Sequence, residues 1–333
     1  MKTADDLRRR TDDVLLAFLH AERDAGEPEI HPLLDELAAI VGAGGKRLRP
    51  RFCYWGFRAA GGEDGPEIIR TGAALELLHT FAMIFDDVMD ASPLRRKRLA
   101  SHEGLGTAGA LLSGLSGFVL ADRLLWSSGF PADRLAAMTE RYDRMRMRAI
   151  AGQYLDVRAA RRGDADEATV RRIGALKSAA YSVVDPLAIG AIAAGASGDV
   201  LEALDAYGRP IGEAFQIADD VLGVFGDPAT TGKDRDGDLR EGKQTVLLVR
   251  TRTLASADDR AFVDAHVGRP DLDERSAGRV REIIRSSGAL DETQALVTSL
   301  RDDALRALDS VPLVEAAADA LRSLAVEATV RDA

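Results

Sequence analysis

The chain of 333 residues carries a formal net charge of −10, with 46% hydrophobic and 29% charged residues. This composition is typical of a soluble globular protein with a buried core, and the negative charge argues against nucleic acid as the main partner. The single cysteine, Cys53, excludes an internal disulfide and favours a reducing compartment, where we expect it to be a small buried apolar residue.

No secretory signal is expected. The segment from Met1 to Asp6 contains charged residues and lacks the apolar segment of such a signal. No run of about 20 uninterrupted apolar residues occurs. We therefore expect a cytoplasmic protein without a transmembrane segment.

Helical periodicity runs nearly throughout the chain, with abundant Ala, Leu, Arg and Glu, and alternating strand patterns are scarce. Four long helices are predicted: Pro66 to about Asp90, about Ala132–Ala160, Ala175–Gly195, and Asp199 to about Phe225 with an interruption at Gly208-Arg209-Pro210. The third is apolar on nearly all sides, which is typical of the middle of a helical bundle.

Three loops are predicted between these helices, at Gly61–Gly65, at Ser92 to Gly106 and at Gly226 to Asp238. No Pro/Ser-rich linker or low-complexity tract divides the chain. We therefore predict a single all-α domain over residues 1–333.

Two aspartate-rich runs stand out, Asp86-Asp87-Val88-Met89-Asp90 and Asp219-Asp220-Val221-Leu222-Gly223. Asp86 and Asp90 share one helical face, so their carboxylates point into the same volume, where the helix C-terminus adds to their repulsion. Mg²⁺ held partly by a phosphate-bearing substrate would relieve both penalties. Such pairs are usually solvated surface, but an apolar segment precedes each run here, which favours a metal-diphosphate site between two helices.

Basic residues supply the complementary charge. The segment Gly44-Gly45-Lys46-Arg47-Leu48-Arg49-Pro50 places glycines, which allow close approach to a ligand, before cations that match phosphate oxygens. Further candidates follow the aspartate runs or open an apolar helix: His79, Arg95, Arg96, Lys177 with Ser178, Lys233 and Lys243. Each alone is a weak signal, because basic side chains usually lie on solvated faces and a lone histidine is usually packed or exposed.

Taken in order, the motifs GGKRLRP, ELLHT, DDVMD, RR, GQYLD, KS, FQIADD, TGK and LREGKQT extend from Gly44 to Thr245, about three fifths of the chain. This set resembles the trans-isoprenyl diphosphate synthases of the polyprenyl synthetase family, most closely their short-chain geranylgeranyl members. The resemblance implies the isoprenoid synthase type I fold, an all-α bundle of about ten or more helices around a deep apolar cavity. It also implies a homodimer.

The resemblance further implies head-to-tail condensation of isopentenyl diphosphate with an allylic diphosphate. Three Mg²⁺ ions would lie against the allylic diphosphate, held by Asp86, Asp87, Asp90, Asp219 and Asp220. The same diphosphate would be gripped by Arg95, Lys177 and Lys233, with Lys243, Gln216 and Ser178 close by. The second diphosphate would be bound by Lys46, Arg49, His79 and Arg96. Gln153 and Asp156 match a motif that lines the cavity and orients other groups.

Some positions depart from the family pattern. Gly223 stands where many members carry aspartate, although Asp227 and Asp238 follow downstream. Phe85 stands where histidine is common, and Lys97-Arg98-Leu99-Ala100 replaces the usual Gly-x-Pro-Thr. None of these removes an apparent diphosphate or metal contact.

Product length is expected to depend on residues one to two turns before Asp86, about 6–8 Å along the helix. Phe81 and Ala82 occupy these positions, and one bulky residue with a small neighbour resembles the geranylgeranyl (C20) synthases. Farnesyl (C15) and geranylfarnesyl (C25) products remain alternatives, as does ordinary core packing for Phe81.

Two other functions compete with the synthase. One is a class I terpene cyclase, which would have little use for Lys46, Arg49 and Arg96. The other is a non-catalytic subunit that modulates an active synthase.

Overall fold

The computed structural model describes residues 4–96, 98–227, 235–310 and 313–330. In chain order the helices are α1 (Ala4–Ala25), α2 (His31–Gly42), α3 (Leu48–Ala59), α4 (Pro66–Met89), α5 (Ser101–Trp126), α6 (Ala132–Arg162), α7 (Glu167–Gly174), a π-helix (Ala175–Val184), α8 (Asp185–Ala194), α9 (Gly198–Phe225), α10 (Gly237–Glu241), α11 (Val246–Leu254), α12 (Ala257–His266), α13 (Glu274–Ser286), α14 (Ala289–Ala307) and α15 (Glu315–Thr329). Two short strands, β1 (Leu94–Arg95) and β2 (Arg98–Leu99), form an antiparallel hairpin. The predicted all-α class is confirmed.

The chain forms two compact units. Unit 1 comprises Met1–Tyr142, Pro186–Leu201 and Leu313–Ala320, and unit 2 comprises Asp143–Asp185, Glu202–Pro312 and Leu321–Ala333. The predicted single domain over the whole chain stays a prediction.

Helix α4 forms the core of unit 1 and packs against α1, α2, α3 and α5. Its buried residues cover nearly all sides of the helix, so it is buried in the way that an all-round apolar pattern predicts. The hydroxyls of two buried threonines donate to carbonyl oxygens one turn earlier, Thr71 to Glu67 at 3.0 Å and Thr80 to Glu76 at 3.1 Å. The interior polar groups of this helix are therefore partly satisfied by its own backbone.

The core of unit 2 is built where α9, α11, α13 and α14 meet. One cluster joins Val221, Val224 and Phe225 of α9 to Leu247 of α11 and Ile283 of α13. A second cluster links α9 to α7, α11 and α14. The carboxyl-terminal half of α9 is thus held on two sides, and this half carries the second aspartate run.

Several helices have an N-terminal cap, in which a side-chain oxygen accepts a hydrogen bond from a backbone N–H of the first turn. Asp166 accepts from Thr169 N at 2.8 Å at the start of α7, and Asp273 accepts from Ser276 N at 2.7 Å at the start of α13. Helix α4 begins with Pro66 in its first turn, after Gly65 in an extended conformation.

The boundaries of α4 and α6 agree with prediction, but three others differ. The predicted loop from Ser92 to Gly106 contains the β-hairpin and the start of α5 at Ser101, with a break at Gly106 (φ 69°) inside α5. The helix predicted from Ala175 continues from α7, which begins at Glu167. Helix α10 begins at Gly237, inside the loop that was predicted from Gly226 to Asp238.

The predicted interruption at Gly208-Arg209-Pro210 is wrong, because α9 continues through Pro210. Proline removes one helical hydrogen bond, but the surrounding residues are fixed by packing. The hydroxyl of Tyr207 donates to Leu321 O at 2.7 Å, and a Cβ on Gly212 would lie 2.6 Å from Ala179 Cα. Tertiary contacts therefore override the local preference.

By length and composition alone, three helical segments in the described parts of the chain could cross a membrane: Pro66–Met89, Ser101–Trp126 and Glu167–Ala194. Burial inside the protein covers 72% of the apolar window in the first and third and 33% in the second. Core packing accounts for the apolar character of the first and third segments. The expected absence of a transmembrane segment stays a prediction.

Two glycines in unit 1 allow α3 and α8 to touch backbone to backbone. A Cβ on Gly190 would lie 1.9 Å from Cys53 O, and one on Gly56 would lie 2.2 Å from Leu187 O. Cys53 is fully buried, and burial raises the pKa of its thiol. The cysteine is therefore a core residue, as the sequence suggested.

We predict that Gly190→Ala lowers the free energy of unfolding by about 1–3 kcal/mol or more, because the two helices must separate to admit the methyl group. Gly278→Ala is the matched control, since Gly278 lies inside α13 with no neighbour near its Cβ. Alanine there should raise stability by about 0.5–1 kcal/mol. Urea unfolding of both variants measures the difference, and equal effects would contradict the close contact.

Candidate active site

The first aspartate run ends α4. Asp86 and Asp90 lie one turn apart and are half-buried, and Asp90 N donates to Asp86 O at 2.8 Å. Asp87 is only 3% exposed. It forms an ion pair with Arg95, whose Nε lies 2.8 Å from Asp87 Oδ1. The run therefore presents two carboxylates on one helical face and holds the third against a guanidinium group.

The β-hairpin positions Arg95 and Arg96 beside this run. It is tied to α2 through Glu36, which accepts from Arg98 at 3.4 Å and from Ser101 Oγ at 2.7 Å. Here the chain departs from the expected Gly-x-Pro-Thr, and strand pairing with a carboxylate anchor holds the segment instead. Lys97 lies outside the described residues.

Arg96 is held from several directions. Its Nη1 donates to Ile40 O at 3.2 Å, and its Nη2 lies 3.9 Å from Glu76 Oε1. A Cβ on Gly45 (φ 145°) would lie 2.9 Å from Arg96 Nη2. Only glycine lets the loop backbone approach this closely, which explains part of the Gly-Gly motif.

Arg47 has a structural position within the same motif. It adopts a left-handed conformation (φ 48°) at the start of α3, and its side chain is 1% exposed. It pairs with Glu76 at 2.8 Å and Asp12 at 2.6 Å, and it donates to Val41 O at 2.6 Å. This buried network fixes the loop, while Lys46 is exposed and Arg49 is half-buried.

His79 lies on α4 among these cations. Burial, followed by repulsion from Arg49, Arg96 and Arg95, lowers the pKa of His79 well below its ordinary value. The ring is therefore neutral near pH 7. The structure thus brings Arg49, His79, Arg95 and Arg96 together within unit 1, and their assignment to the two diphosphates stays a prediction. A pocket behind the hairpin is lined by Asp87, Arg95 and Arg96 together with apolar residues of α2 and α4.

The second aspartate run lies within α9 in unit 2. Asp219 is half-buried and Asp220 is 5% exposed. Asp220 Oδ1 accepts from Lys243 Nζ at 2.9 Å and from Gln216 Nε2 at 2.7 Å. Burial raises the pKa of Asp220 to about 6, against the effect of Lys243. Burial alone would lower the pKa of Lys243, but attraction to Asp220 and to other carboxylates outweighs this effect. The pKa of Lys243 is therefore raised well above its ordinary value.

Lys177 and the half-buried Ser178 lie in the π-helix. Lys177 Nζ forms an ion pair with Asp156 Oδ2 of α6 at 2.8 Å. A Cβ on Gly152 would lie 2.4 Å from Lys177 N, so glycine in the GQYLD motif lets α6 approach the π-helix. Gln153 follows Gly152 on α6.

Three aromatic rings cluster in unit 1 next to the first aspartate run. The centroids of Phe81 and Phe85 are 4.5 Å apart, and those of Phe81 and Phe118 are 5.0 Å apart. Ala82 is half-buried beside them. A Cβ on Gly114 would lie 2.9 Å from the Phe85 ring, so α5 offers a glycine where this larger residue needs room.

Comparison with known proteins decides the family. The model of the polyprenyl synthetase family matches residues 31–285. The chain belongs to the polyprenyl synthetase family. The resemblance stated from the motifs and the prenyltransferase activity that it implies are confirmed.

Individual relatives of this polyprenyl synthetase are named as prenyl diphosphate synthases, in agreement with the family assignment. A geranylfarnesyl diphosphate synthase from Aeropyrum pernix is 33% identical over 86% of this chain and 90% of its own. A geranylgeranyl diphosphate synthase from Sulfolobus acidocaldarius is 31% identical over 81% of each chain. A crystal structure of geranylgeranyl pyrophosphate synthase from Corynebacterium glutamicum, complexed with isoprenyl diphosphate and magnesium, superimposes with a TM-score of 0.94. It covers 99% of this chain and 100% of its own, at 32% identity.

The donor chemistry of the polyprenyl synthetase fits Mg²⁺. Both runs offer carboxylate oxygens, which hard cations prefer. In the parts of the chain that the structure describes, no group of three or more His, Cys, Asp or Glu is arranged to hold a metal ion. Mg²⁺ commonly takes one or two carboxylates and completes its shell with substrate phosphates and water. The two half-buried carboxylates Asp86 and Asp90 suit that mode of binding.

Several neighbours of the site were missed or only partly foreseen. Arg47 and Glu76 belong to the quoted motifs, but nothing in a linear sequence shows that they pair. Phe118 lies 33 residues after Phe85, beyond the reach of helical periodicity. Asp156 was expected to orient other groups, but the sequence did not show which ones; in the structure it contacts Lys177. Lys233 lies outside the described residues.

We predict that Asp220 makes the free protein less stable as pH rises from about 4 to about 6. Its folded-state pKa of about 6 exceeds the ordinary value of 3.8, so the folded state holds the proton more tightly than the unfolded chain. The contribution is present in full below pH 4 and is lost through pH 6, by about 2–3 kcal/mol. Urea unfolding between pH 4 and 7 should show a steeper decline for the unchanged protein than for Asp220→Asn, and parallel declines would contradict the assignment.

Proposed function

We propose that this polyprenyl synthetase makes geranylgeranyl diphosphate (C20) by Mg²⁺-dependent head-to-tail condensation of isopentenyl diphosphate with an allylic diphosphate. The observation that carries the proposal is the surplus of positive charge around Arg96. Burial and repulsion from Arg47, Arg95 and Arg49 lower the pKa of Arg96, although Glu76 attracts its charge. A group of cations that repel one another provides a binding site for an anion such as a diphosphate.

This group would form the site for the diphosphate of isopentenyl diphosphate, with Lys46, Arg49, His79 and Arg96 as its ligands. The neutral ring of His79 adds no further positive charge and carries one N–H donor. Arg47 would not touch the substrate, because its side chain is buried against Glu76 and Asp12. Its role is to fix the loop that carries Lys46 and Arg49.

The allylic diphosphate would be bound by Arg95, Lys177 and Lys233, with Lys243, Gln216 and Ser178 as neighbours. Arg95 and Lys177 each have a carboxylate partner in the free protein, Asp87 and Asp156. These partners hold the two cations in fixed positions before the substrate arrives, which reduces the cost of ordering them on binding. Gln153 and Asp156 would act by orienting Lys177.

Asp86, Asp87, Asp90, Asp219 and Asp220 would hold three Mg²⁺ ions. When bound, these ions neutralise the charge that builds on the departing diphosphate. The fixed cations Arg95 and Lys177 stabilise the same charge. The apolar residues beside them, among them Ala82 and Ala179, would keep water away from the allylic cation. No side chain in the described residues is an evident base, so we assign the final proton to the released diphosphate.

The proposed assembly is a cytoplasmic homodimer. Helix α5 presents exposed apolar side chains along one face, at the spacing of successive turns: Leu112, Leu115, Val119 and Trp126. A monomer would leave this stripe in water. A second copy of the chain would cover it.

An assay with isopentenyl diphosphate and dimethylallyl, geranyl or farnesyl diphosphate tests the function directly. Chromatography of the dephosphorylated products should give geranylgeraniol. Consumption of an allylic substrate without isopentenyl diphosphate would instead indicate a terpene cyclase. Activity only with an added partner synthase would indicate a modulating subunit.

We predict that Asp86→Asn and Asp219→Asn each lower kcat by about two orders of magnitude or more, because a proposed cation ligand is lost. Circular dichroism should show unchanged helix content. Asp199→Asn is the matched control, since Asp199 is exposed in the first turn of α9, and it should keep the normal rate. A near-normal rate in either site variant would remove that aspartate from the proposed site.

We predict that Phe81→Ala lengthens the product beyond C20, because removing the Phe81 ring, which packs against the rings of Phe85 and Phe118, would open space one to two turns before Asp86. Phe262→Ala is the control: it also truncates an aromatic residue, but one that stacks on His266 in unit 2. Product chromatography should show C25 or longer chains only for Phe81→Ala. The same product from both variants would mean that Phe81 is ordinary packing.

A further inference from the structure

The β-hairpin that carries Arg95 and Arg96 has an unfavourable turn. Arg95 pairs with Arg98 in the register of the two strands, so only two residues separate them. Arg96, the first of these, adopts a left-handed conformation (φ 52°), which is unfavourable for a residue with a side chain. Residues 95–100 include neither glycine nor proline, which favour tight turns. Contacts outside the hairpin are therefore needed to hold it in shape.

Helix α2 supplies such contacts from two residues that lie one turn apart. Glu36 Oε2 accepts from Arg98 Nη2 at 3.4 Å, and Glu36 Oε1 accepts from Ser101 Oγ at 2.7 Å. One turn later, Ile40 O accepts from Arg96 Nη1 at 3.2 Å. A single carboxylate thus holds the segment that follows the turn, while the same helix contacts the guanidinium group of Arg96.

The position of Glu36 suits an anchor. Its side chain is mostly buried. Ser101 is buried as well and is the first residue of α5, and the preceding residue, Ala100, offers this helix no side-chain cap. A carboxylate near a helix N-terminus interacts favourably with the helix dipole. Glu36 therefore joins α2 to both β2 and the start of α5.

The two arginines of the hairpin differ in how much they depend on this anchor. Arg95 has a close partner of its own, because its Nε lies 2.8 Å from Asp87 Oδ1 on α4. The ion pair of Arg96 with Glu76 is longer, at 3.9 Å between Nη2 and Oε1. Repulsion from neighbouring cations also acts on Arg96. The backbone of the hairpin has to keep Arg96 in place against this repulsion.

We infer that Glu36 is a positioning residue for Arg96. It holds the hairpin against α2 and thereby keeps the Arg96 guanidinium group in the site proposed for the diphosphate of isopentenyl diphosphate. This inference rests on the proposed function, because it gives a supporting residue to a binding site that is assigned there. Glu36 precedes Gly44, where the motifs that indicated the site begin, so its role follows from the contacts alone.

The sign of the effect on substrate binding separates positioning from simple charge. Glu36→Gln keeps the side-chain length and an oxygen that can accept from Ser101, but it removes the charge that attracts Arg98. By Coulomb's law, loss of a negative charge near an anion site should strengthen diphosphate binding. We expect the opposite: KM for isopentenyl diphosphate should rise about tenfold, because Arg96 is held less firmly. An unchanged or lower KM would overturn the inference.

The allylic substrate provides an internal control. Arg95 keeps its partner Asp87 in Glu36→Gln, so kcat and KM for the allylic diphosphate should change by less than about twofold. Equal rises in both KM values would indicate a general disturbance and would contradict the specific link to Arg96. Asp35→Asn is the matched variant on the same helix. It breaks an ion pair with Arg23 (2.6 Å) and should leave both KM values unchanged.

A double-mutant cycle tests whether Glu36 acts through the hairpin. Arg98→Ala removes the other partner of the ion pair and should raise KM for isopentenyl diphosphate to a similar extent. Glu36→Gln combined with Arg98→Ala should then weaken binding little more than either change alone. A normal KM in Arg98→Ala, or additive effects in the double variant, would show that the two residues do not act together and would overturn the inference.

The melting temperature separates positioning from a merely structural role. If Glu36 only stabilised the fold, Glu36→Gln would lower the melting temperature and leave KM for isopentenyl diphosphate unchanged. That result would also contradict the inference. We expect KM to rise at temperatures where circular dichroism shows that Glu36→Gln and Asp35→Asn are both fully folded.

Arg96→Ala distinguishes this inference from the proposed function. If the unchanged protein consumes no isopentenyl diphosphate, or if Arg96→Ala leaves its KM unchanged, the function or the site proposed above fails. If Arg96→Ala raises this KM while Glu36→Gln does not, only the assignment of Glu36 fails.

Discussion

Buried charge must be paired, and this constraint shapes both units of the protein. Four cations among the described residues of the candidate site each have a carboxylate within ion-pair distance: Arg47 with Glu76, Arg95 with Asp87, Lys177 with Asp156, and Lys243 with Asp220. Removing one partner of a fully buried ion pair lowers the free energy of unfolding by about 3–5 kcal/mol. These pairs therefore help to stabilise the folded state of the free protein.

The pairs differ in solvent exposure, and this difference distinguishes a pair with a structural role from the pairs that a ligand can reach. Arg47 and Glu76 are 1% and 2% exposed, so no ligand can reach them without unfolding. Lys177 and Lys243 are 23% and 24% exposed, so in the proposed function a diphosphate would replace part of their carboxylate contacts. Partial exposure lets these ion pairs exchange partners, whereas Arg47 can only hold its loop in place.

Sequence reasoning reached the fold class, the family and the candidate side chains, because these depend on local periodicity and on motifs. It placed the ends of α4 and α6 well, since proline, apolar spacing and the aspartate run mark them. It failed at Pro210, where contacts of Tyr207 and Gly212 with distant residues override a local helix breaker. It also could not see Glu36 beside Arg98, because that contact depends on how α2 packs against the hairpin across a 62-residue separation in sequence.

The π-helix from Ala175 to Val184 has a further consequence for how this chain can change. Its hydrogen bonds span one residue more than those of an α-helix, so it accommodates an extra residue between α7 and α8 without a loop. Loss of one residue in this stretch would let the coil return to α-helical hydrogen bonds while the side chains of α8 keep their orientation. The same loss inside a continuous α-helix such as α4 would turn every later side chain by roughly a quarter of a revolution. Gly190 would still face Cys53 after a single deletion in the π-helix, so such a deletion should be better tolerated here than inside α4.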